Sequence, residues 1–516
     1  MKKFLLSLLT IAFAFSAQAV EKQVTSPDGK LVVTLSDENG VPTYAVAYEQ
    51  VSFIETSPIG LVTNIGDFSK QMSMGAEVQI KEVNENYQLA TIKKSNVNHH
   101  ATEAVVPFSQ NNKHIFDLIL RVTNNDVAFK YKLYPQGPTR SIIVKEEKTS
   151  FSLPEGTTTF LAPQVKPMGG FARTYPSYET PYAADEPTGR NGWGEGYTFP
   201  CLFRNADKGW VLISETGVNG AYVGSRLMGG EGSLYTIGFP QEGEMNGLGS
   251  TTPGLPLPGE TPWRTITLGT TLAPIVETTI AFDVVEPRYE ASKEYIFGAG
   301  SWSWIIGMDN STKFDEQIRY IDFSAAMGYE TVLIDALWDV QIGRDKIAEL
   351  ARYAASKNVA LFLWYNSNGY WNDAPQSPRG IMDRAIERRR EMKWMQSIGI
   401  RGIKVDFFGA DSIGMINYYL DILETAAKHK LMVNFHGATI PRGWQRTYPH
   451  FMTSEAVYGA EWYNNNGRLT PNAAWHNCTL PFTRNVIGPM DYTPCAFTDS
   501  QHPHITTHAH ELALPI

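Results

Sequence analysis

Lys404 and Asp406 lie two residues apart in the stretch GIKVDFFGAD (402–411), at the end of an otherwise apolar run. Successive strand side chains alternate faces, so this cation and this carboxylate point the same way. The ammonium favours the ionised carboxylate, which predicts a lowered pKa for Asp406 and a ready nucleophile. Polar residues also end the neighbouring apolar runs: Asp335 in ETVLIDALW, Asn366 in VALFLWYN, His436 in LMVNFHG, Glu455 after HFMTS with Glu461 beyond it, and Asp491 in IGPMDY. Carboxylates and amides with one lysine, and no Ser–His or Cys–His constellation, point to chemistry on sugars. Cleaving a glycosidic bond needs two flanking carboxyl groups, one as acid and one as nucleophile or base. Asp406 with either Glu455 or Glu461 supplies such a pair. Asp335, Asn366 and His436 are candidate hydroxyl binders. Trp302, Trp304, Trp338, Trp364 and Trp371 cluster near the same strand ends, where an aromatic face can stack on a sugar ring or simply fill the core.

These residues need a scaffold, and the chain reads as two halves. From Val20 to about Pro287, runs such as GKLVVTLSD, PTYAVAYEQ, FDLILRVTNNDVAFKYKLYP, GWVLISET and TTIAFDVVEP alternate and are punctuated by Gly, Pro, Asn and Asp. An antiparallel β-sandwich is expected over 20–288, with STTPGLPLPGETPW (250–263) as a long surface loop. After Arg288, short apolar strands alternate with helical stretches such as GRDKIAELARYAASK and RAIERRREMKWMQSIG. With IFGAGSWSW (296–304) first, seven strands are expected over 289–516. That alternation predicts a parallel sheet and a TIM-type (β/α)8 barrel, whose catalytic residues come from strand C-terminal ends. An open doubly wound sheet would gather its polar residues at one switch point instead. No eighth strand precedes the closing THAHELALPI, so the barrel is expected to lack its last unit, as in a piece of a longer protein.

The 516 residues suffice for two domains, and 43% hydrophobic with 19% charged residues is a globular composition. A net charge of −9 leaves no basic footprint and argues against a nucleic-acid partner. The opening MKKFLLSLLTIAFAFSAQA has two lysines, a short apolar run and Ala17-Gln18-Ala19, the pattern of a secretory leader cleaved after Ala19. A periplasmic or secreted protein without a membrane span is expected. Cys201, Cys478 and Cys495 make no disulfide framework, although Cys478 and Cys495 lie close enough in sequence to pair. HPHITTHAH (502–510) has the histidine density of a zinc site but no established partner ligands.

GIKVDFFGAD followed by SEAVYGAEW (454–462) resembles glycoside hydrolase family 97, a family of secreted α-glycosidases, across essentially the whole chain. The resemblance implies the same leader, β-sandwich and (β/α)8 barrel. It points to the retaining α-galactosidase-type branch, which carries an aspartate nucleophile at the end of strand four. The inverting branch places a glutamate base at the end of strand five, where this sequence has His436-Gly437. By resemblance, Glu461 is the acid/base and Ca²⁺ is bound close by, with Glu455, Glu461 and a sandwich glutamate as ligands. Glu195 in GWGEGYTFP is the match for the last, with Glu215 in LISETG as its rival; oxygen ligands suit Ca²⁺. The implied protein is an exo-acting, calcium-dependent retaining α-galactosidase, with Asp406 as nucleophile and Lys404, His436, Asp335 and Asn366 as substrate binders. An α-glucosidase of the same family and a non-catalytic carbohydrate-binding protein are the alternatives.

Overall fold

The computed structural model describes residues 21–462, 470–494, 497–499 and 502–515; the leader and Cys495 lie outside them. Alternating runs in the first half form antiparallel strands. In Leu31–Ser36, Leu31, Val33 and Leu35 are buried while Val32, Thr34 and Ser36 are half-buried, as in a sheet with one packed face. Eighteen strands join one network beside a three-stranded sheet. Their inward residues, among them Phe53, Phe116, Phe129 and Tyr131, belong to one core.

Two local expectations are corrected here. TTIAFDVVEP (278–287) is no strand: within it Ile280–Asp283 is a short helix buried along its whole length, just after another short helix at Ala273–Glu277. A run buried on every side gives no period by which to tell helix from strand. The stretch 250–263 is more than a surface loop, because Gly254–Pro256 and Gly259–Glu260 pair as strands and Leu255 and Leu257 anchor them in the core.

In the second half six parallel strands follow sequence order: β1 (Gly300–Trp302), β2 (Thr331–Ile334), β3 (Ala360–Asn366), β4 (Gly402–Asp406), β5 (Met432–Phe435) and β6 (Phe451–Ser454). Helices α1 (Phe314–Met327), α2 (Arg344–Ser356), α3 (Ala385–Ile398) and α4 (Ile413–His429) fill the first four crossovers. In α2, Ile347, Leu350, Ala351 and Ala354 are buried, the apolar stripe of a helix laid on a sheet. Helices α1 and α3 stop at Gly328 and Gly399, both left-handed with φ of 72° and 89°, where glycine adopts that cap at least cost.

The seventh expected strand is reduced to a single parallel bridge between Ser454 and Met490. A 3₁₀ turn at Arg484–Ile487 precedes it, and Pro489 has no N–H to give a ladder. Six strands therefore replace seven among the described residues. The sheet curls: residues of β1 and the segment at Asp491 line the same cavity of about 720 Å³. Among the described residues no helix is long and apolar enough to cross a membrane.

Candidate active site

Strand β4 carries the floor of the site. Ile403 and Val405 are fully buried in the core, which turns Lys404 and Asp406 to the inside of the curled sheet. Lys404 Nζ lies 3.3 Å from Asp335 Oδ2 and 3.8 Å from Asp406 Oδ2, and 4.3 Å from the centre of the Trp302 ring. Asp335 accepts hydrogen bonds from Trp302 Nε1 and from the Ala336 N–H, each 2.7 Å. Asp406 Oδ2 accepts one from Trp364 Nε1 at 3.0 Å. Trp302 and Trp364 thus hold these two carboxylates in place, and Trp304 donates to Asp309 Oδ1 at 2.8 Å. Trp304 stacks on Trp302, while Trp338 and Trp371 donate to the Trp364 carbonyl and to Ser367 Oγ.

The facing wall is acidic. Glu455, just past β6, accepts the Gly437 N–H through Oε2 at 2.7 Å, and its Oε1 lies 3.4 Å from His436 Nδ1. His436 Nε2 sits 2.7 Å from Asp491 Oδ2, which also accepts from Asn434 Nδ2 at 2.6 Å. Ligand atoms of His436, Glu455 and Glu461 all lie within 4.8 Å of one another. The N-terminal domain adds Glu179, whose Oε1 accepts from Trp462 Nε1 at 3.2 Å. His436, Glu455, Glu461 and Glu179 line, with Lys404, Asp335 and Asp406, a cavity of about 420 Å³ with Phe171, Tyr175 and Trp304 among its aromatic residues.

The backbone is tight around the carboxylates. Gly437 has φ 46°, and a Cβ there would stand 2.9 Å from Phe407 N and 3.1 Å from Asp406 Oδ1. Only glycine lets the end of β5 approach β4 so closely. Phe407 and Ala456, which directly follow Asp406 and Glu455, are left-handed with φ of 71° and 42°. Such non-glycine residues cost about 1–3 kcal/mol each and persist where the surrounding structure holds them.

Burial dominates the proton affinities of three carboxyls, Asp406, Glu461 and Glu179. It raises the Asp406 carboxyl above its ordinary value, although Lys404 and His436 act to lower it. This reverses the expected direction: the lysine's nearer carboxylate is Asp335, and desolvation of Asp406 outweighs the remaining attraction. Burial, helped by Glu455, pushes Glu461 up to about 8. Glu179 is held well above the carboxylate range by burial and by the charges of Glu455 and Glu461. Burial alone would lower His436, but Glu455 and Asp491 keep it well above its usual value. The arrangement is a carboxyl beside a cation, in one cavity with a second carboxyl whose proton affinity burial raises.

Three expected site residues lie elsewhere. Asn366 is fully buried, and its amide is spent on its own loop, donating to the Ala374 and Gln376 carbonyls and accepting from the Asn368 N–H and Asn372 Nδ2. Glu195 is not among the residues lining the cavity; its electrostatic influence falls on Arg226. Glu215 is locked between Arg264 and Arg442, all three no more than 1% exposed. The sandwich glutamate that reaches the cavity is Glu179. It sits in TYPSYETPYA (174–183), a stretch without periodicity, where only its isolation among tyrosines and prolines marks it. Replacing Glu215 with alanine would remove the carboxylate shared by two buried guanidinium groups, leaving Arg264 with Glu147 and Arg442 with Asp411 as their remaining partners. Stability is expected to fall by about 3–5 kcal/mol, read from denaturant unfolding; an unchanged midpoint would refute the network's importance.

Residues 24–287 match the model of the glycosyl-hydrolase 97 N-terminal domain, and residues 295–457 match that of glycoside hydrolase 97. The chain belongs to glycoside hydrolase family 97. Within family 97 it is 31% identical to a probable retaining α-galactosidase of Streptomyces bingchenggensis, over 93% of this chain and 71% of that protein. A retaining α-galactosidase of Bacteroides thetaiotaomicron is 25% identical, over 97% and 77%. Among solved structures, a β-arabinopyranosidase superposes with a TM-score of 0.93 at 47% identity, covering 96% of this chain and 80% of that one. A family 97 enzyme of Pseudoalteromonas sp. strain K8 in complex with panose shares the fold, with a TM-score of 0.80 at 22% identity over 96% and 78%.

Proposed function

We propose that this family 97 protein is an exo-acting retaining glycosidase for terminal α-galactosides, exported by the leader over residues 1–19. The observation that carries this reading is the layout of charge. A carboxylate stands at the end of β4 beside Lys404, while His436 and Gly437, neither of them a carboxylic acid, stand at the end of β5. Asp406 attacks the anomeric carbon while Glu461, kept protonated by burial, gives its proton to the leaving oxygen. Water then releases the sugar with Glu461 acting as base. Lys404 and Asp335 supply a donor and an acceptor to the ring hydroxyls.

Calcium belongs to the same reading. Glu455 Oε1 is buried without a hydrogen-bond partner, and the crowded glutamates from both domains form a set of hard oxygen donors that suits Ca²⁺. Glu179 and Glu455 would hold the ion, with Glu461 alongside. The bound ion supplies positive charge against their mutual repulsion.

A second reading is favoured by the 47% identity to the β-arabinopyranosidase. β-L-Arabinopyranose has the ring configuration of α-D-galactopyranose, with hydrogen in place of the C5 hydroxymethyl group, so one pocket suits either ring. Initial rates on nitrophenyl α-galactoside, β-L-arabinopyranoside and α-glucoside, with NMR of the first-formed anomer, separate the readings. We expect the galactoside to be cleaved with α-galactose appearing first. Initial β-galactose would make the enzyme inverting, and preference for the arabinoside would install the second reading. Turnover of none would leave a binding protein.

A further inference from the structure

Among the described residues Glu179 is the one carboxylate of the cavity that comes from the N-terminal domain, so its place against Glu455 and Glu461 depends on how that domain is held. The segment carrying it has no regular secondary structure between Thr174 and Tyr182. Its preceding residue, Tyr178, is buried and left-handed with φ 65°. The Tyr178 hydroxyl donates to Asp411 Oδ2. Asp411 belongs to the catalytic domain, on the loop that begins at Asp406.

That acceptor is fixed from several directions. Arg442 Nη2 donates to Asp411 Oδ2 at 2.6 Å, and Arg442 pairs in turn with Glu215 of the N-terminal domain. The Asp411 N–H donates to Glu244 Oε2 at 2.8 Å, and its carbonyl accepts the Gly224 N–H at 3.0 Å. Asp411 is 3% exposed and Arg442 1%, so water does not compete for these bonds. The same loop and segment touch again at Gly409, where a Cβ would come 2.7 Å from the Thr174 carbonyl oxygen. One loop therefore ties together Asp406 at its start and, through Tyr178, Glu179 on the other domain.

We propose that Tyr178, clasped by Asp411 and Arg442, is a positioning residue that sets Glu179 against Glu455 and Glu461. The inference rests on the calcium reading above, because the readout of a well-placed Glu179 is the affinity of that carboxylate cluster for the ion. Partners that orient metal ligands typically govern affinity in this way.

The test is calorimetric titration of calcium chloride into chelator-stripped wild type, Glu179→Gln and Tyr178→Phe. Tyr178→Phe keeps the ring and removes only the hydroxyl. Its calcium affinity is expected to fall by roughly ten- to a hundredfold, with Glu179→Gln at least as weak. Saturating calcium should restore turnover to Tyr178→Phe, a rescue that general loosening of the fold would not give. If Tyr178→Phe does not unfold cooperatively, Asp411→Asn perturbs the same contact and is titrated in its place. Calcium affinity equal to wild type in the clasp variant overturns the proposal alone. Absence of calcium binding by the wild type overturns the calcium reading together with it.

Discussion

Asp406→Ala is expected to lower turnover of an aryl α-galactoside by on the order of 10⁴-fold or more, while the fold and ligand binding persist. The carboxylate is the group nearest Lys404 on the same strand face, and its removal leaves no other acid at the end of β4. The side chain contributes little to the core, since the backbone of β4 is held by its ladders to β3 and β5. Azide should enter from the vacated face and yield β-galactosyl azide, a product that a mere loss of electrostatic support would not form. A variant that turns over within tenfold of wild type would end the nucleophile assignment.

Glu461→Gln is expected to slow cleavage of sugar leaving groups by on the order of 10²–10⁴-fold. The amide keeps the shape and a carbonyl oxygen but has no proton to give. A dinitrophenyl leaving group needs no protonation, so its first step should stay fast. Glycosyl-enzyme then accumulates because the base for the second step is also missing, giving a burst of phenolate followed by a slow steady state. The experiment is run at saturating calcium so that any weakened metal affinity does not enter. Equal losses for good and poor leaving groups would assign the acid to another residue.

What the sequence made legible follows from the period of two in a strand. Lys404 and Asp406 had to share a face, and His436 and Glu455 follow the next two strands, so one cavity gathers these four, while Asp491 joins them through its bond to His436. The same rule misplaced Asn366. Its position at the end of β3 is right, but returning loop carbonyls from Ala374 and Gln376 occupy its amide, and a strand pattern says nothing about loop backbone. The proton affinity of Asp406 was read from the lysine two residues away, whereas Asp335, far off in sequence, is that lysine's nearer partner. Glu179 was invisible for a related reason: its approach depends on contacts between Tyr178 and Asp411 that no local pattern encodes. The short helix Ile280–Asp283 was lost because burial on all sides erases amphipathic signal.

Because Phe171, Thr174, Tyr175 and Glu179 come from one domain and the remaining cavity wall from the other, the site cannot be passed between genes as a cassette. Recombination that exchanged the first half for that of a distant homologue would keep both sheets intact. It would still break the meeting of Tyr178 with Asp411 and of Glu215 with Arg442, which lie on opposite sides of the crossover. Selection then acts on the two halves as a linked pair, and substitutions at their seam must arise in compensating couples. Specificity can drift through segments that belong to a single half, such as the short helix Trp304–Gly307, whose Trp304 lines the cavity. The acidic cluster is inherited jointly or lost.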